Sequence, residues 1–94
     1  MEGIKLKNID LTGISKVEQK NKIREELKEF EEAICEHIVY ATDVTKSHAI
    51  EEYFDLIQSA LGQLEKEGIS AEEVMKEYPK HLEKLKSRPR YKEK

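Results

Sequence analysis

Cysteine is nearly absent from this 94-residue chain: Cys35 stands alone, which excludes an internal disulfide and any cysteine zinc cluster. Aromatics are scarce too, with four Tyr, two Phe and no Trp, so surfaces on which a base could stack are poorly provided. No run approaches the roughly 20 apolar residues of a membrane span. The N-terminus lacks the apolar core of a signal peptide. The expectation is a cytoplasmic protein with no membrane partner. A basic excess is missing as well. The net charge of −3 gives no general attraction for DNA or RNA and argues against a nucleic-acid partner.

What is present is charge without much core: 37% of residues are hydrophobic and 39% charged. A chain this short buries only roughly 60–65% of its unfolded surface. Long amphipathic helices suit that balance, and so does oligomerisation. The charges are segregated. Residues 25–36 hold six Glu and one Lys, whereas residues 80–94 hold Lys80, Lys84, Lys86, Arg88, Arg90, Lys92 and Lys94 against Glu83 and Glu93.

The expected fold is all-α: a small helical bundle of two long helices and a shorter C-terminal one, completed by oligomerisation. Residues 1–14 read as an extended lead-in arm, in which Ile4, Leu6, Ile9 and Leu11 hint at alternation, or as a short strand. Residues 15–86 form the helical domain, and residues 87–94 a basic, frayed tail. Ser15 and Glu18 form a capping box, after which Ile23, Leu27, Phe30, Ile34, Ile38 and Ala41 recur at steps of three and four. Polar residues at 20–22 leave room for a break. Residues 42–47 read as a loop with Ser47 capping a second helix, whose apolar face is Ile50, Tyr53, Phe54, Ile57, Leu61 and Leu64. Gly68 ends it. Ser70 and Glu73 form a second capping box, with Ile69 and Val74 as a hydrophobic staple. Pro79, inside the third apolar stripe, predicts a kink or a restart.

Two acidic pairs carry the chemistry: Glu26 with Glu29, and Glu52 with Asp55, each three residues apart on a helix. Antiparallel packing of the helices could bring four carboxylates together. Their repulsion is relieved by a hard divalent cation such as Mg²⁺ or Mn²⁺, which also binds substrate phosphates. Glu is also the commonest exposed helical residue, and on spacing alone a solvated face is the commoner explanation. Glu26 and Glu29 flank their apolar stripe, and Glu52 and Asp55 point nearly opposite theirs, which predicts that the second pair faces water unless another helix or subunit covers it.

Lys22-Ile-Arg-Glu25-Glu26-Leu-Lys-Glu29-Phe30, followed by Glu51-Glu52-Tyr-Phe-Asp55-Leu-Ile, resembles the MazG-like all-α NTP pyrophosphohydrolases. The two motifs lie 22 residues apart (30–51) in the family's order, and the resemblance covers about residues 16–90. It implies a Mg²⁺-dependent hydrolase, with Mn²⁺ as an alternative ion, that converts an NTP or dNTP to the monophosphate and pyrophosphate. It implies metal ligation by Glu26, Glu29, Glu52 and Asp55, and water orientation by Glu25 or Glu51. Lys84 and Arg88 resemble the basic residues that follow the last helix in relatives, which implies phosphate binding. The resemblance also implies a homodimer or homotetramer. The rival reading is a noncatalytic helical oligomerisation or interaction module with the same acidic surface.

Among the remaining candidates, His37 is placed near Glu26 and Glu29 but reads more simply as a half-exposed helical residue. His48 and His81 lack a partner at metal-binding spacing. Cys35 reads as a packed small side chain, Asp43 as a turn residue, and Tyr53 and Phe54 as core.

Overall fold

Ser15 starts the first helix as the sequence predicts: its hydroxyl accepts from the Glu18 N–H at 3.0 Å. In the computed structural model, which describes residues 6–88, α1 then runs unbroken over Lys16–Tyr40. No break forms at residues 20–22, because nothing there prevents the ladder of backbone bonds from continuing. Ala41 closes the helix in the left-handed region (φ 49°), its N–H donating to the His37 carbonyl at 2.8 Å.

The expected loop at 42–47 is instead the first turn of α2, Asp43–Lys66. Thr42, not Ser47, is the N-cap. Thr42 and Thr45 cap each other reciprocally: the Thr45 N–H donates to Thr42 Oγ1 at 3.1 Å and the Thr42 N–H donates to Thr45 Oγ1 at 3.0 Å. Local capping outweighs the poor helix propensity of the β-branched residues. His37 Nδ1 lies 2.8 Å from Thr45 Oγ1 and pins the hairpin, so this histidine serves the turn. Asp43 is the first helical residue rather than a turn residue.

Gly68 ends α2 at φ 79°. The Gly68 N–H donates to the Glu65 carbonyl and the Ile69 N–H to the Leu64 carbonyl, at 3.0 and 2.9 Å. Those two bonds make a Schellman motif. Ser70 then caps α3, Ala71–Lys86, with the capping box read from the sequence. Pro79 does not restart this helix, which continues through it. The arm contains no strand over residues 6–15. It lies along the chain's own α2 and the start of α3. Gln58 Nε2 donates to the Lys7 carbonyl and Lys66 Nζ to the Leu11 carbonyl, both at 3.0 Å; the Ile9 N–H donates to Glu65 Oε1. Asn8 Oδ1 accepts from the Ala71 N–H at 2.9 Å. Ile4 and residues 89–94 of the expected tail lie outside the described residues. Among the described residues, no helix is long and apolar enough to cross a membrane.

The core differs from the expected one. The buried residues of the hairpin are Gln19, Glu26 and Ala33 on α1 and Thr45, Ala49, Ser59, Leu61 and Gly62 on α2. Leu27, Ile34 and Ile38 of the predicted α1 stripe are exposed, as are Ile50, Tyr53 and Phe54 of the α2 stripe. Small and polar residues predominate where the helices meet, whereas Leu61 of the predicted α2 stripe is buried as expected. Cys35 is exposed rather than packed.

Gly62 marks the closest approach. A Cβ there would sit 2.7 Å from Gln19 Nε2, which donates to the Ser59 carbonyl at 2.8 Å in the seam. Gly62→Ala gains about 1 kcal/mol of helix propensity and loses about as much by displacing that bond, so it is expected to be nearly neutral. Gly62→Leu adds overpacking of about 1–3 kcal/mol. Urea unfolding should separate the two; a Leu variant as stable as wild type would show that the seam is loose.

Candidate functional site

The rotation of the helices that exposes the apolar stripes turns the acids inward. Glu26 is 5% exposed, and the Glu52 side chain 14%. The outward direction expected for Glu52 is thus wrong: Glu52 faces α1 of its own chain, because small residues rather than bulky ones form the seam. Carboxylate oxygens of Glu26, Glu52 and Asp55 lie within 4.8 Å of one another. Asp55 sits at the exposed edge of this group.

Buried Glu26 and half-buried Glu52 are each paired through one oxygen. Lys22 Nζ lies 2.7 Å from Glu26 Oε1, and His48 Nε2 lies 3.2 Å from Glu52 Oε1. His48 Nδ1 also lies 3.9 Å from Glu36 Oε1. The second oxygens, Glu26 Oε2 and Glu52 Oε2, are buried without a hydrogen-bond partner. Burying such atoms costs stability unless a ligand supplies the missing partner. Hard, anionic, orphaned oxygens at this spacing fit a divalent cation.

Glu29 stands beside the group. Loss of solvation pushes its carboxyl above the ordinary glutamate range, helped by the charges of Glu26, Glu52 and Glu25. Glu29 therefore keeps its proton to a higher pH than an exposed glutamate. The folded chain binds more protons there than the unfolded one, so this residue's contribution to stability falls as pH rises through the shifted midpoint. A carbon-detected NMR titration should place the Glu29 midpoint above the ordinary glutamate range, and Glu52→Gln should lower it. A midpoint that Glu52→Gln leaves unchanged would show that the cluster exerts no such field.

A cavity of about 550 Å³ opens beside the acids, between the arm and the helix pair. Ile9, Leu11 and Ile14 of the arm make its apolar wall, while Gln58, Lys22, Glu26 and Asp55 line it from the helices. Glu25 and Glu51 are exposed and lie outside the three-carboxylate group. Lys84 and Arg88, in the last turn of α3 and just past it, are exposed, and no residue of α3 lines this cavity. Sequence reasoning missed His48 as the partner of Glu52. His48 is four residues before Glu52, a spacing that signals a helical neighbour once α2 is known to begin at Asp43.

A helix hairpin that gathers carboxylates at its seam, beside a cavity closed by an extended arm, defines a class of small all-α proteins with an acidic cation-type site. Within that class, the chain belongs to the phosphoribosyl-ATP pyrophosphohydrolase family, whose model matches residues 6–81. That family is part of the MazG-like all-α NTP pyrophosphohydrolase superfamily, as the motifs implied, and is divalent-metal dependent. The match spans the arm and both acidic pairs; Lys84 and Arg88 lie beyond it. Neither curated proteins nor solved structures gave a match.

Proposed function

We propose that this chain is a Mg²⁺-dependent pyrophosphohydrolase that converts a nucleoside triphosphate to the monophosphate and pyrophosphate. The observation that carries the reading is the gathering of Glu26, Glu52 and Asp55, which bring carboxylate oxygens within 4.8 Å of one another, while Glu26 Oε2 and Glu52 Oε2 are buried without a hydrogen-bond partner. Glu26, Glu52 and Asp55 would hold the ion, with Glu29 as the fourth carboxylate; Mn²⁺ suits the same oxygens. When bound, the cation supplies positive charge that offsets both the carboxylates and the phosphates.

The remaining work falls to the chain's own groups. The cavity beside the arm takes the nucleoside, with Ile9, Leu11 and Ile14 against its apolar faces and Gln58 offering an amide. Glu25 or Glu51 orients a water toward a phosphorus of the α–β bridge. The water oxygen bonds to that phosphorus, the bridging P–O bond breaks, and the water's proton passes to the carboxylate. The bridge electrons leave with pyrophosphate when the α-phosphorus is attacked, and with the monophosphate when the β-phosphorus is. Lys84 and Arg88 are assigned the outer phosphates, which requires the end of α3 to approach the cavity. The exposed apolar stripes support a homodimer as the working form, and a homotetramer would pair two such dimers.

The family's name makes phosphoribosyl-ATP the first triphosphate to assay, beside a panel of NTPs and dNTPs. Pyrophosphate release with Mg²⁺ from at least one of them, lost in Glu26→Gln and Asp55→Asn, is the expected result. No release across the panel from a folded oligomer would favour the noncatalytic interaction module instead.

A further inference from the structure

Lys22 is the only cation among the described residues that line the cavity. Its pairing with Glu26 at 2.7 Å is lopsided: the Glu26 side chain is 7% exposed and that of Lys22 50%. Glu26 is locked in the seam, whereas the lysine ammonium sits on a flexible stem half in solvent and can swing without repacking anything. The rest of the polar wall is poor in positive charge, with Asp10, Glu18, Glu26 and Asp55 all lining it. A polyphosphate entering there meets like charge, and an ion shared with carboxylates leaves much of it uncompensated.

We propose that Lys22 is a substrate-binding residue: its ammonium pairs with Glu26 in the metal-free chain and transfers to a phosphate oxygen of the nucleotide when a divalent cation engages Glu26. This rests on the pyrophosphohydrolase reading of the acid cluster.

The test uses the full chain and two probes: Mn²⁺ alone, then α,β-methylene-ATP at saturating Mn²⁺, both by calorimetry. Lys22→Met should leave Mn²⁺ affinity unchanged or tighter, because Glu26 loses a competing cation. It should weaken the nucleotide analogue about tenfold or more, the size expected for a lost charge-assisted hydrogen bond. Lys22→Arg should retain most of the analogue affinity. Analogue affinity within twofold of wild type in Lys22→Met would overturn the proposal. So would a parallel loss of Mn²⁺ and analogue, which would mean that Lys22 only holds Glu26 in place. A wild type that binds no Mn²⁺ is a different result and overturns the reading of the cluster itself. Far-ultraviolet circular dichroism checks folding, and Lys22→Gln replaces the Met variant if that one aggregates.

Discussion

Exchanging Glu52 for Gln is expected to abolish turnover and at the same time to make the metal-free protein more stable. Glu52 Oε2 is buried and unpartnered, within a carboxylate cluster that carries more negative charge than Lys22 and His48 can offset. Gln keeps the shape and can still bond His48, but removes one charge. Two like charges about 4 Å apart repel by about 1 kcal/mol even at the dielectric of water. Relief of that size raises the melting temperature of a domain this small by roughly 4–8 °C. Activity and Mn²⁺ affinity should both fall by more than the roughly 10–100-fold that outer-sphere partners typically contribute. Added Mn²⁺ should then reverse the order of stability, because only the wild type gains from binding. Paired thermal melts with and without Mn²⁺ check this. If Glu52→Gln melts below wild type without metal, the cluster is not a strained acidic site, and its oxygens have partners in solution.

The second large effect concerns the apolar face. Leu27, Ile34 and Ile38 of α1 and Ile50, Tyr53 and Phe54 of α2 are all exposed, Ile38 at 74% and Phe54 at 55%. The ring contact between Phe30 and Tyr53, with centroids 6.1 Å apart, joins the two stripes across the seam on one side. Exposed large apolar faces of this kind mark interaction surfaces. A second copy of the chain is the occupant to expect, since a two-helix layer without a large fully buried side chain has little core of its own. Sedimentation should give a dimer at micromolar concentration, with a concentration-dependent melting temperature. Phe54→Glu should weaken association by at least 2 kcal/mol, about 30-fold in Kd, because it leaves a buried charge at the centre of the interface. A wild type that stays monomeric at high concentration would remove the case for this face, and an unaffected Phe54→Glu dimer would place the interface elsewhere.

Much of the helical frame could be read in advance because it depends on local chemistry. Ser15, Gly68, Ser70 and Glu73 act within four residues of themselves, satisfying backbone groups that any helix end leaves open. The order of the two acidic pairs is likewise a property of the chain alone. The start of α2 was misplaced because two β-branched threonines were weighed by propensity, whereas their reciprocal bonds decide the matter. The seam was misassigned for a related reason. Hydrophobic periodicity finds the bulky side of a helix and assumes that it meets the neighbouring helix. Here Ala33, Ala49, Ser59 and Gly62 are buried beside Leu61, and most of the remaining bulky residues are exposed or half-buried.

What the sequence by itself determined, then, is an all-α chain of three helices, the N-caps of the first and third, and two acidic pairs in a recognisable order, since each rests on neighbours within a turn or two. Only the tertiary structure decided that Glu26 is buried and Glu52 half-buried, that Asp55 joins them, and that the arm walls a cavity beside them. Those facts depend on how α1 and α2 are rotated about their axes, and that rotation is chosen by contacts such as Gln19 to Ser59, 40 residues apart along the chain.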